Sequence, residues 1–179
     1  VERIAKATAE SSWRQPAAAA FALWLGVMAV LSFARAGVWR DDLTLTTEQV
    51  RRSPQAAFAH DLHGQALLNL QRWEEARVSL ARAVALDPRD AGYRNDLGIS
   101  LRRTGRPELA VEQFREALRL DPRYACALTN RGRVHALKGD PDRAIADYDE
   151  ALRIDPTFAL AYNNRGDAYF NKGDLDRAL

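Results

Sequence analysis

His60 and His63 stand three residues apart, a spacing that puts two imidazoles on one face of a helix and within reach of one divalent cation. A metal site needs more ligands than that. The remaining histidine, His135, and the one cysteine, Cys126, lie well down the chain, with no acidic and histidine pair to complete a set. Both histidines are therefore read as packing residues facing a neighbouring helix. Asp41 and Asp42 are an adjacent carboxylate pair; at the head of a helical stretch such residues suit the positive end of the helix dipole, and they are read as helix-start residues and not as a general acid and base. The chain has no HExxH or GxSxG sequence and no glycine-rich phosphate loop. The reading is of no catalytic residue, no cofactor and no metal. A lone cysteine excludes an internal disulfide framework, and Cys126 is expected to be a small packing residue.

What the chain does carry is a period. Asp87-Pro88, Asp121-Pro122 and Asp155-Pro156 recur every 34 residues and define frames at 57–90, 91–124 and 125–158, with a partial frame at 159–179. The eighth position of each frame is Gly64, Gly98, Gly132 and Gly166, and the twentieth is Ala76, Ala110, Ala144 and Ala178. Position 24 holds the bulky Leu80, Phe114 and Tyr148, and position 27 holds Ala83, Ala117 and Ala151. A small residue lets two helix backbones approach while a large one fills the adjoining groove, so the pattern predicts pairs of antiparallel helices. Gly105, Gly139 and Gly173 suit the left-handed backbone that ends a first helix. Asp140 and Asp174 can cap the helix that follows, with Pro107 and Pro141 at or near its first turn. Pro88, Pro122 and Pro156 stop the second helix.

At these columns the sequence resembles the tetratricopeptide repeat family, a helix-turn-helix unit of this length with small residues at positions 8, 20 and 27 and proline at 32. The resemblance covers Ala57 to Leu179. YRNDLGISL, LTNRGRVHAL and YNNRGDAYF look like first helices, and ELAVEQFREALRLDP and DRAIADYDEALRIDP like second helices with their loop. The first unit departs from the pattern, with His63 where leucine is usual and no turn glycine. The resemblance implies an all-α helical-repeat solenoid, an α-α superhelix, that holds a protein or peptide ligand along the inner face of its first helices at positions 2, 5, 6, 9, 12 and 13. Carried onto this chain, that mapping selects Asn95, Ile99, Arg102 and Arg103 in the second unit, Asn130, Arg133 and Leu137 in the third, and Asn163, Asn164, Asp167, Phe170 and Asn171 in the fourth. Asparagine amides would donate to and accept from an extended backbone, and Arg102, Arg103 and Arg133 would pair with carboxylates. Arg131 and Arg165 are assigned to structure, with Arg165 bridging to Asp147 or Asp149. The two-carboxylate clamp of the family's chaperone-tail binders includes lysines; Lys138 and Lys172 fall outside the lining set, so that activity is not expected.

The N-terminal third is different material. After a flank at 1–14, no charge occurs from Gln15 to Ala34, and the apolar run can continue toward Val38. About 20 apolar residues span a hydrocarbon core of roughly 30 Å, and Trp13 and Trp39 flank the run as interfacial aromatics do. Residues 15–37 are read as a single transmembrane helix or signal anchor. A cleavable signal peptide stays open, since Ala34-Arg35-Ala36 precedes Gly37, and so does a buried soluble helix. Arg3, Lys6 and Arg14 before the run nearly balance Arg35 and Arg40 after it; the expectation is of repeats outside the cytoplasm. Arginine outnumbers lysine 23 to 3, the bias of a genome rich in G and C, which points to a bacterial inner membrane.

Residues 38–56 are read as a degenerate second helix capping the array: Trp39 to Pro54 matches Trp73 to Pro88 in separation, with Leu43, Thr46 and Val50 as a weak stripe. Both ends look cut, as in a fragment. A net charge of +2 gives no basic face for nucleic acid. The expected function is a membrane-anchored scaffold that binds a partner protein. The alternative is the C-terminal region of a multi-pass membrane glycosyltransferase, since Arg35 to Trp39 followed by repeats is similar to transmembrane-and-tetratricopeptide mannosyltransferase-like proteins; its catalytic part would lie upstream.

Overall fold

A computed structural model describes residues 42–178, so the flank, the span expected at 15–37 and residues 38–41 lie outside the described residues. Among the described residues every regular element is a helix, and none is long and apolar enough to cross a membrane. The chain divides into two units, 1–45 and 46–179, the first almost wholly outside the described residues. Helix α1 (Asp42–Arg52) begins at the second aspartate of the expected helix start and ends before Pro54, in the proline column. In the second unit, α2 (Ala57–Asn69) pairs with α3 (Trp73–Leu86), α4 (Ala91–Arg103) with α5 (Pro107–Leu120), and α6 (Ala125–Leu137) with α7 (Pro141–Ile154). Helix α8 (Ala159–Lys172) and the short α9 (Leu175–Ala178) open the fourth frame.

The turns follow the expected chemistry and add to it. Gly105, Gly139 and Gly173 take φ of 73°, 76° and 84°, where a side-chain carbon would be strained. In the first unit Gln71 occupies the same column at φ 60°. Asp140 caps α7 by accepting the Arg143 amide at 3.1 Å, and Asp90 caps α4 from Tyr93 at 3.0 Å. The aspartates ahead of each proline have a task too. Asp87, Asp121 and Asp155 accept the amide two residues on, from Arg89, Arg123 and Thr157 at 3.1, 2.9 and 2.9 Å, closing a turn that proline alone only begins.

Within each pair the repeat code is a physical contact. A carbon placed on Gly98 would meet Phe114 Cε1 at 2.5 Å and one on Gly132 would meet Tyr148 Cε1 at 2.6 Å, while Gly64 lies against Leu80. Leu80, Phe114 and Tyr148 are all but inaccessible, as are Ala76, Ala110, Ala144, Ala83, Ala117 and Ala151. Seams between frames are built the same way, with Leu128, Ala151, Leu152 and Ala161 closing the third on the fourth. From α4 on, each first helix touches the second helix before it, its own second helix and the neighbouring first helices, whereas successive second helices do not pack closely. First helices are therefore the more tightly spaced row and line the inner side of the stack.

Candidate functional site

Position 5 of one first helix meets position 6 of the next along the floor of this inner face, giving rungs of polar side chains. Asn130 Nδ2 donates to Asn95 Oδ1 at 3.0 Å, and Asn95 Nδ2 donates to Asp96 at 2.9 Å. Asn95 is 4% exposed and its amide is engaged at both ends, so it forms floor and offers no open amide. One frame earlier the rung is Asp61 and Asp96, joined by Gln65 Nε2, which donates to both at 2.7 and 2.9 Å. Burial and the charges of Asp96 and Asp90 push the Asp61 carboxyl up to about 7, and burial raises Asp96 as well. Asp61 Oδ1 is buried without a partner. These rungs link residues 35 apart, one more than the repeat, so no column of the sequence marks them.

Farther along, Arg102, Arg133, Leu137, Asn164, Asp167 and Asn171 converge on one pocket of about 310 Å³, half of the residues that the family mapping selects. Tyr148 closes its floor, its hydroxyl pushed up to about 12 by burial. Arg102 Nε and Asn164 Nδ2 are buried there with no acceptor. Burial and the neighbouring Arg133 and Arg103 guanidiniums lower Arg102 to about 10. Arg103 instead lies over the Trp73 ring, 5.0 Å from its centroid. Ile99 is half-buried between the rungs and the pocket. Asn163, Asp167 and Phe170 border a wider opening at the end of the stack, and Leu137 and Phe170 are 71% and 65% exposed.

The other candidates are absorbed by structure. His60 Nε2 sits 3.0 Å from the Pro54 carbonyl and His63 Nδ1 3.2 Å from Thr46 Oγ1, so the two imidazoles have separate partners. Arg131 grips Asp147 through Nε and Nη2 at 2.9 and 2.6 Å, and Arg165 takes the other expected acid, Asp149, at 2.7 Å. Lys138 and Lys172 reach back to Glu108 and Asp142 on the preceding unit at 2.8 and 2.6 Å. Cys126 corrects the expectation of a packing residue. It is exposed at the second residue of its helix; partial burial with Asp96 and Asp155 nearby raises its thiol, which disfavours the reactive thiolate.

The tetratricopeptide repeat profile matches residues 62–125, 95–159 and 129–179. A comparison with curated proteins returns no match. Among solved structures, a thermophilic tetratricopeptide-repeat protein of Thermus thermophilus is 28% identical with a TM-score of 0.68, over 83% of this chain and 82% of that one. MamA is 26% identical with a TM-score of 0.68, over 81% and 79%. The first repeat domain of Spaghetti, bound to an HSP90 peptide, shares the fold at 18% identity and a TM-score of 0.63, over 66% of this chain and 94% of that one. With the profile matched over more than half of its length, and with the glycine and aromatic contacts that such units require, the chain belongs to the tetratricopeptide repeat family.

Proposed function

We propose that this protein is a scaffold that holds a peptide or protein partner against the inner face of its first helices. One observation carries the reading. The buried polar atoms without a partner among the described residues, Asp61 Oδ1, Arg102 Nε and Asn164 Nδ2, all belong to first helices at inner-face positions. A buried polar group left unpaired costs roughly 1–3 kcal/mol, and a bound polypeptide supplies the partners. The fold is generally an interaction scaffold and not a catalytic one, and the Spaghetti domain has an HSP90 peptide bound. The uncharged run from Gln15 to Ala34 supports tethering of the scaffold to a membrane. An upstream glycosyltransferase would use the same face to choose acceptor proteins, and further apolar spans in the gene before Val1 would favour that version.

Random peptides displayed on phage and selected against the full chain in detergent test the groove. Binders are expected to be lost by a Leu137→Lys, Phe170→Lys double variant whose helical circular dichroism is unchanged, since both side chains are largely exposed. Absence of binders, or binders indifferent to both substitutions, would refute the groove.

A further inference from the structure

We propose that the pocket bounded by Arg102, Arg133, Leu137, Asn164 and Asn171 is a subsite for one carboxylate, the side chain of an internal aspartate or glutamate in the bound peptide. This rests on the groove reading above and adds its chemistry. Arg102 and Arg133 come from adjacent first helices, α4 and α6, and among the described residues neither makes an ion pair. Arginines on second helices behave differently: Arg115, Arg119 and Arg153 each hold a glutamate one turn away, at 2.9, 2.6 and 2.6 Å. The pocket thus gathers two cations together with two buried N–H donors, Arg102 Nε and Asn164 Nδ2, that lack an acceptor. What is missing is an anion with paired lone pairs, and a carboxylate matches a guanidinium edge in that way.

Charge and size narrow the class. Asp167 lines the same pocket from α8 without pairing with either arginine among the described residues, so its negative charge against two positive ones leaves room for a monoanion and disfavours a phosphate dianion. A volume of about 310 Å³, at the small end for a ligand cleft, has room for an acidic side chain. The lining continues on both sides, toward Ile99 and the Asn95–Asn130 rung in one direction and toward Phe170 in the other, so a peptide runs past the pocket instead of ending in it. Leu137, 71% exposed on the wall, calls for an apolar residue beside the acid.

The test uses the full chain in detergent and arrayed N-acetylated, C-amidated decapeptides. A central position is fixed as Glu, Asp, Gln, Lys or phosphoserine, and the flanks are degenerate. Glu or Asp pools are expected to bind about tenfold or more better than Gln pools, the lower end for a charge-assisted hydrogen bond. Arg102→Gln and Arg133→Gln are each expected to bring the Glu-to-Gln binding ratio down toward one. Because Glu is exchanged for Gln on the peptide, the comparison holds even where a variant folds poorly. Binding with no acidic preference would overturn the subsite and leave the groove standing. A preference for phosphoserine, or for unblocked C-termini in a companion set, would also overturn it. No binding to any pool would bring down groove and subsite together.

Discussion

The glycine at position 8 carries the steric logic of the fold, and Gly98→Ala isolates it. An added Cβ would sit 2.5, 2.8 and 2.9 Å from Phe114 Cε1, Cζ and Cδ1, against an ordinary carbon separation of about 3.5–4.0 Å. Phe114 is fully buried, so its ring has little room to retreat. Overpacking of this kind costs roughly 1–3 kcal/mol. Contact with three ring atoms puts Gly98→Ala near the top of that range, offset by about 1 kcal/mol from the better helix propensity of alanine. The expected net loss is about 2 kcal/mol. At Gly166 the nearest atom is the Ala178 carbonyl oxygen at 3.1 Å, so Gly166→Ala is expected to be close to neutral. Phe114→Ala alone should cost about 3–5 kcal/mol, but in that background Gly98→Ala meets no ring and becomes stabilising by about 1 kcal/mol. The coupling in the double-mutant cycle is then about 3 kcal/mol, within the range for residues in contact. Urea unfolding followed by circular dichroism measures all four proteins. Equal effects of Gly98→Ala in both backgrounds, or a stabilised Gly98→Ala single variant, would refute the reasoning.

Two further outcomes follow from strain and charge. Gln71→Gly should stabilise the first unit by about 0.5–1 kcal/mol, because relief of a left-handed φ of 60° outweighs the added freedom of glycine when unfolded; an unchanged or lowered thermal midpoint would count against it. Asp61, with a carboxyl raised from 3.8 to about 7, binds its proton more tightly folded than unfolded, so its contribution is full below about pH 4 and is lost as pH rises to about 7. Asp61→Asn keeps an oxygen for Gln65 and removes the charge; its unfolding free energy in urea should gain on wild type with rising pH, by at most about 4 kcal/mol at pH 8. Parallel curves for the two proteins would exclude this assignment.

The fold was legible because its determinants act within one repeat. Gly98 against Phe114 and Pro107 at the first turn of α5 are short-range steric facts, repeated at a fixed interval, and the frame at 91–124 displays them in order. Gln71 escaped because only the backbone shows that a residue other than glycine can hold the turn. The inner face was legible in outline only. Arg102, Arg133, Asn164 and Asn171 do converge, whereas Asn95 is spent on the floor and Arg103 turns to Trp73. Family positions say which way a helix face looks. Whether an amide is left free depends on its neighbour one frame away, and the rung joining position 5 to position 6 is occupied by Asp with Asp in one place and Asn with Asn in the next. Side chains that differ in type at each rung leave no periodic trace.

Stability and recognition are drawn from different residues, and the ion pairs show why. On the second helices Arg119–Glu116 and Arg153–Glu150 are exposed pairs one turn apart, screened by solvent and of little weight for stability. They keep the outer surface neutral locally and leave the seams of alanine, glycine and aromatic residues to hold the stack. The inner face is the reverse. Asp61 and Asp96 repel across a rung, and Arg102 and Arg133 repel across a pocket; none of these four has an opposite charge within ion-pair distance among the described residues. A fold under pressure for stability alone would place a carboxylate beside Arg102, as it does beside Arg131, where Asp147 sits 2.6 Å away. The charge left open at Arg102, one frame from a closed pair of the same type, is the feature that the proposed carboxylate subsite would explain.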